Sequence, residues 1–205
     1  MSETYIEESR LATAELSLGS LLPPGAWRPA LTPEVHPRQI GDELWSKAFD
    51  KDQLDDRPLY WQRLILSQYL RQLGAESSDL LEFELASRGM LGNQFSGGAT
   101  YRVLVTGFDP FHLDDYIEQG NPSGVVALQH QHKQIALGAG RAEIRSMIFP
   151  VRYKDFDEFL VERVLETFTD KVDMVIIVSM GRTGFDLERF PGRRRSVSTP
   201  DNARE

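Results

Sequence analysis

Residues 101–178 alternate short apolar runs with amphipathic stretches, which predicts an α/β fold. The expected form is a three-layer α/β/α sandwich with a mainly parallel sheet, preceded by a helical N-terminal extension. Three observations carry this expectation. Residues 101–106 (YRVLVT) form a β-branched run that breaks at Gly107. Residues 172–178 (VDMVIIV) are apolar almost without interruption, as a strand covered on both faces reads. Residues 58–73 instead repeat their apolar side chains at helical spacing.

The elements follow in order. Residues 1–57 carry Pro23, Pro24, Pro29, Pro33 and Pro37, a spacing that forbids a long helix. We read this stretch as an extended arm with one or two short helices, one of them over 42–49. Trp27, Trp45 and Phe49 imply that the arm packs against something. From Pro58, the residues Trp61, Ile65, Tyr69 and Leu73 recur at i, i+4, and Gly74 ends the helix. A second helix is expected over 79–88, stopped by Gly89. The segment 92–98 (GNQFSGG) then reads as a flexible linker, which divides the chain into residues 1–98 and 99–205. Beyond it we expect a helix over 124–135, a strand over 142–149 and a continuous helix over 154–168. Phe156, Phe159, Leu160, Val164 and Phe168 would share one face of that last helix.

Composition narrows the function classes. The 205 residues are 40% hydrophobic and 26% charged, ordinary for a soluble globular protein. A formal net charge of -8 argues against a nucleic-acid binder and against a polybasic membrane anchor. No signal peptide or membrane span is expected, so a cytoplasmic location is the default. With no cysteine, the chain has no disulfide, no thiolate metal ligand and no thiol nucleophile. Nothing matches a phosphate loop, a dinucleotide fingerprint or a metalloprotease helix, and we expect no cofactor and no metal. His130 and His132 point to different faces of the expected helix and make a poor metal pair. His36 and His112 have no local partner, and Arg193, Arg194 and Arg195 read as a solvated run.

In an α/β sheet, binding gathers beyond the carboxyl ends of the strands. One loop there reads T-G-F-D-P-F (106–111), followed by N-P-S (121–123). The other reads G-R-T-G-F-D-L-E-R (181–189), and P-D-N (200–202) comes ten residues later. In this order, residues 101–202 resemble the front half of the pyroglutamyl-peptidases, α/β cysteine peptidases that remove an N-terminal pyroglutamate. The resemblance implies a substrate-binding role for Phe108 and Phe111, whose rings would flank the flat, neutral lactam. It implies a catalytic role for Glu188 as the acidic member of a Cys-His-Glu triad, holding the imidazole that activates the thiol. The implied partner is a peptide bearing an N-terminal pyroglutamate.

This sequence also departs from the family pattern. The family's cysteine and histidine lie downstream of P-D-N. The turn after the third strand is shortened to V-S-M-G-R (178–182), without the family's glutamine, and His112 and Leu113 replace glycines. Three readings follow: a peptidase-family protein without its nucleophile in this chain, a non-catalytic binder of N-terminally blocked ligands, or an interaction protein whose helical half does the work. Phe108 and Phe111 stay open as pocket or core aromatics, and Glu188 as site residue or surface charge. A sheet this short also predicts a homo-oligomer or poor solubility, unless the helices of residues 58–88 cover it.

Overall fold

In the computed structural model, the described residues are 3–18, 35–49, 55–181, 184, 186–190 and 199–205, with side chains left out for 3–5 and 15–18. Trp27, the first four prolines of the arm and the Arg193–Arg195 run lie outside them.

The molecule is α/β, with a four-stranded mixed sheet in the order β2-β3-β1-β4. Strands β1 (Tyr101–Phe108), β3 (Gly140–Phe149) and β4 (Met174–Ile177) run parallel, while β2 (Gln134–Leu137) joins β3 as an antiparallel hairpin. β1 and β3 are aligned over their last eight residues, Tyr101 opposite Ala142 and Phe108 opposite Phe149. Their carboxyl ends therefore finish level.

The N-terminal half contributes five helices among the described residues: α1 (Glu3–Glu8), α2 (Leu11–Leu18), α3 (Pro37–Ala48), α4 (Arg57–Gln72) and α5 (Ser77–Ala86). Pro37 and Pro58 sit in first turns, where the missing N–H costs nothing. His36 caps α3, its Nδ1 accepting from Arg38 N at 3.3 Å. Helices α3, α4 and α5 share a core with the sheet half: Ile40, Leu44, Leu66, Leu70 and Phe83 pack with Ala127, Leu128 and Ile148. Gly89 is required in this packing. Its φ is +70°, and a Cβ there would lie 2.5 Å from the Trp45 ring.

Four expectations change. The stretch 92–98 is tied along β3, with Asn93 Nδ2 donating to Ser146 O at 2.6 Å and Ser96 N to the Glu143 carboxylate at 2.9 Å. The helix expected over 124–135 is α6 (Pro122–His130), and Ile135 belongs to β2. The helix expected over 154–168 is broken into α7 (Tyr153–Asp157) and α8 (Leu160–Glu166). Phe159 stands at the break with φ 58° and is 63% exposed, so it does not join the apolar face. Last, the VDMVIIV run is an edge strand, not a buried one. Met174, Val175, Ile176 and Ile177 are 56%, 42%, 41% and 59% exposed. The helices lie over β1 and β3, where Val161, Val164 and Phe168 pack on Leu104, Met147 and Phe149.

Candidate functional site

The carboxyl ends of β1 and β3 are where three of the four sequence motifs converge; the fourth, residues 181–189, follows β4, and its Arg182, Thr183 and Phe185 lie outside the described residues. Gly107, next to last in β1, packs against the first turn of α6. A Cβ there would lie 2.2 Å from Ser123 O, so only glycine permits this approach. Phe108 N donates to Ser123 Oγ at 3.1 Å. Asn121 caps α6 by accepting from Ser123 N at 3.0 Å, and its Nδ2 donates to Asp109 O at 2.9 Å. From the far end of the chain, Asn202 Nδ2 donates to Pro110 O at 2.8 Å and Asn202 N to Val151 O at 2.9 Å. Asp201 accepts from the backbone amides of Tyr153 at 2.6 Å and Ala203 at 2.8 Å. T-G-F-D-P-F, N-P-S and P-D-N are thus one hydrogen-bonded scaffold.

Beneath this scaffold lies a buried ionic cluster that the sequence reading missed. Asp109 accepts from Arg63 Nη2 at 2.7 Å and from Arg88 Nη1 at 2.6 Å. Arg88 also donates to Glu84, and Arg152 Nη2 joins the same Glu84 oxygen at 2.8 Å. Arg152 continues to Asp155 at 2.6 Å and to Glu7 at 3.3 Å, and Tyr60 Oη donates to Glu7 at 3.1 Å. Burial alone would push the Glu84 carboxyl up, but Arg88, Arg152 and Arg63 hold it well below the usual range. Glu7 goes the other way: desolvation raises it more than Arg152 lowers it. The signal for part of this cluster was present. Arg63 stands in phase with Leu59, Tyr60, Leu66 and Leu70 on the buried face of α4, where a charge needs an internal partner.

Above the cluster opens a pocket of about 360 Å³ lined by Phe108, Pro150, Val151, Arg152, Tyr153, Phe156 and Asp201. Phe108 and Phe156 stack with centroids 6.5 Å apart and planes at 27°. The guanidinium of Arg152 and the carboxylate of Asp201 are already committed to the fold by the bonds above. What they leave to a ligand is mostly apolar wall. A larger groove of about 890 Å³ is lined by Ser46, Lys47, Phe49, Gln129, Gln131, His132 and Lys133, none of them from the motifs.

The three residues singled out from sequence are not brought together here. Phe108 lines the pocket. Phe111 does not: its ring packs on His112 at 4.6 Å, and its carbonyl accepts from Gln119 Nε2 at 3.0 Å. Glu188 is exposed on the segment after β4 and has no hydrogen bond or ion pair among the described residues. Of the histidines, His130 Nδ1 lies 2.8 Å from Val126 O and His132 packs on Phe49 at 5.1 Å. His36 lies 3.9 Å from both Asp79 and Glu82. Tyr153 and Phe156 enter the pocket because α7 begins right after β3, a boundary the sequence reading placed only one residue away.

Residues 102–204 match the family described as PA0049, C-terminal domain. The chain is 32% identical over 191 residues to the "Uncharacterized protein PA0049" of Pseudomonas aeruginosa, an alignment covering 75% of this chain and 34% of the relative. The chain therefore spans about a third of that relative's length. No solved structure matches. The matched stretch contains β1, β3, β4, the interlocked motifs and the whole pocket, and on it the chain belongs to the PA0049 C-terminal domain family.

Proposed function

We propose that this chain is a pyroglutamyl-peptidase-like binding domain that holds a flat, neutral, N-terminally blocked group, such as a pyroglutamyl lactam, without hydrolysing it. The observation that carries the reading is the placement of Phe108. The aromatic of T-G-F-D-P-F opens onto an apolar 360 Å³ pocket at the carboxyl ends of two parallel strands and stacks there on Phe156. A five-membered lactam offers no charge, so aromatic faces with a few backbone hydrogen bonds suit it. The sequence contains no cysteine, so this chain supplies no thiol for the family's chemistry. Glu188, exposed and outside the pocket lining, has no imidazole to orient. In this reading the sheet is the centre of a three-layer α/β/α sandwich, residues 1–98 are a helical extension that braces the binding loops, and the protein works in the cytoplasm.

Titration of the chain with pyroglutamyl-alanine, followed by NMR, tests this. Resonances of Phe108, Tyr153 and Phe156 should shift, Phe156→Ala should weaken binding at least about tenfold, the worth of roughly 1.4 kcal/mol, and Phe111→Ala should leave it unchanged. Absence of binding at millimolar ligand sinks the reading. Turnover of a fluorogenic pyroglutamyl substrate by the chain alone would overturn its non-hydrolytic part.

A further inference from the structure

The open edge of the sheet presents a different kind of site. Edge strands are normally blunted by a charge, a proline or a bulge. β4 has none of these: its four residues are Met, Val, Ile and Ile, and all are exposed. Both of its faces are therefore about half exposed, and among the described residues its principal neighbour is β1. We propose that this edge pairs with β4 of a second copy of the chain, antiparallel, about a two-fold axis passing beside Ile176.

Two independent features select that register. The first is backbone polarity. Val178 N donates to Thr106 O on β1 at 2.9 Å, so by strand alternation the amides of Ile176 face β1 as well. Those of Val175 and Ile177 face outward and, among the described residues, are open to exchange hydrogen bonds with a partner strand. A two-fold beside Ile176 sets Val175 opposite Ile177 of the partner subunit as a hydrogen-bonded pair. Ile176 then meets its own copy as a non-hydrogen-bonded pair. The second feature is side-chain chemistry. In this register Met174 opposes Val178, so every pair from 174 to 178 is apolar on apolar. Moving the axis to Val175 would set Asp173 against Ile177, and moving it to Ile177 would set Val175 against Ser179.

The surface is of suitable chemistry. Met180, Leu187 and Phe190, on the segment that follows β4, are 40%, 87% and 81% exposed. With the four residues of β4 they make seven exposed large apolar side chains between Met174 and Phe190, the kind of residue that the core of an interface buries. An isologous pairing also closes on itself: it occupies both β4 edges, and the sheet then ends at the short β2 strand of each copy.

The absence of native cysteine makes the experiment clean. Ile176→Cys places two thiols in a non-hydrogen-bonded pair, where the Cα separation of about 4.5 Å permits a disulfide. Under mild oxidation I176C should give a disulfide-linked dimer, whereas Ala139→Cys in the exposed β2–β3 turn should form no intersubunit disulfide. The unmodified chain should sediment as a dimer, and Ile176→Lys, with like charges opposed, as a monomer with an unchanged circular dichroism spectrum. If I176K fails to fold, the cysteine pair decides alone. The proposal is overturned if the parent chain is a monomer at micromolar concentration. Equal crosslinking of the two cysteine variants overturns it too, as does a folded I176K that remains dimeric.

Discussion

At the scale of single residues, the motifs act first as packing devices. Gly107 and Gly124 let the start of α6 approach β1, and a Cβ on Gly124 would lie 2.9 Å from Phe108 O and 2.8 Å from Asp56 Oδ2. Asp56 is the unusual member of this contact. It is almost fully buried, and its carboxylate accepts from Asn121 N at 3.0 and 3.1 Å. Burial pushes its pKa up to about 7, with Asn121 N opposing and Asp109 and Asp55 adding to the rise. The sign follows from that direction. The folded state holds the proton more tightly than the unfolded chain, so stability is greatest below the unfolded value near 4 and falls as pH rises to about 7. Asp56→Asn keeps an acceptor for Asn121 N and removes the charge. It should be more stable than the parent by about 1–3 kcal/mol above neutral pH, a margin that narrows toward acid. Urea unfolding at several pH values checks this; a constant margin would show that Asp56 does not titrate in the fold.

Secondary elements show which features were legible in the sequence. β1, β3 and α4 were, because their signals are local: a β-branched run that ends at Gly107, a strand-length segment over 142–149 bounded by Pro150, and an apolar stripe started by Pro58 and stopped by Gly74. β4 was legible as a strand but not in its environment, because apolar character reports what a strand needs and not whether it is met. Of α1 and α2 the sequence indicated at most one further short helix in the arm, without its position, since their burial depends on partners far along the chain. The break between α7 and α8 was missed for a sharper reason. The apolar period runs straight through residues 156–168, yet Phe159 adopts the left-handed conformation and starts a new helix. A bulky L-residue there costs roughly 1–2 kcal/mol. Phe159→Asn tolerates that conformation and also suits the position before a helix. Because the ring is 63% exposed, little packing is lost, and F159N should gain about 0.5–1 kcal/mol. A thermal melt decides it. A loss of stability would mean that the ring has a docking role in solution.

The whole molecule is held by ties between segments remote in sequence, and Arg10 is the clearest. Its Nε and Nη2 donate to Asp114 at 2.9 and 2.7 Å, while Nη1 donates to Asn202 O at 2.7 Å. Arg204 donates to the same Asp114 at 2.7 Å, and the two guanidinium groups hold that carboxyl well below its usual range. One side chain from α1–α2 thus joins the T-G-F-D-P-F loop to P-D-N. No pattern in the sequence reveals this, because the three segments are joined only by the fold. Leu11 and Ala14 seat the same helices on Tyr60, Trp61 and Leu64, so the arm is held by packing as well as by charge. Arg10→Ala should therefore leave the arm docked but release the chain end. Asp114 is partly exposed and retains Arg204, so the cost comes mainly from the buried bond to Asn202 and amounts to about 1–3 kcal/mol. Hydrogen exchange gives the readout that stability alone cannot. The amide of Asn202, bonded to Val151 O, should exchange much faster in R10A, while those of β1 and β3 stay protected. If Asn202 stays protected, P-D-N is held by its own bonds to Tyr153 and Pro110 and the arm is only an appendage. If β1 and β3 lose protection too, the arm is part of the core that folds the sheet.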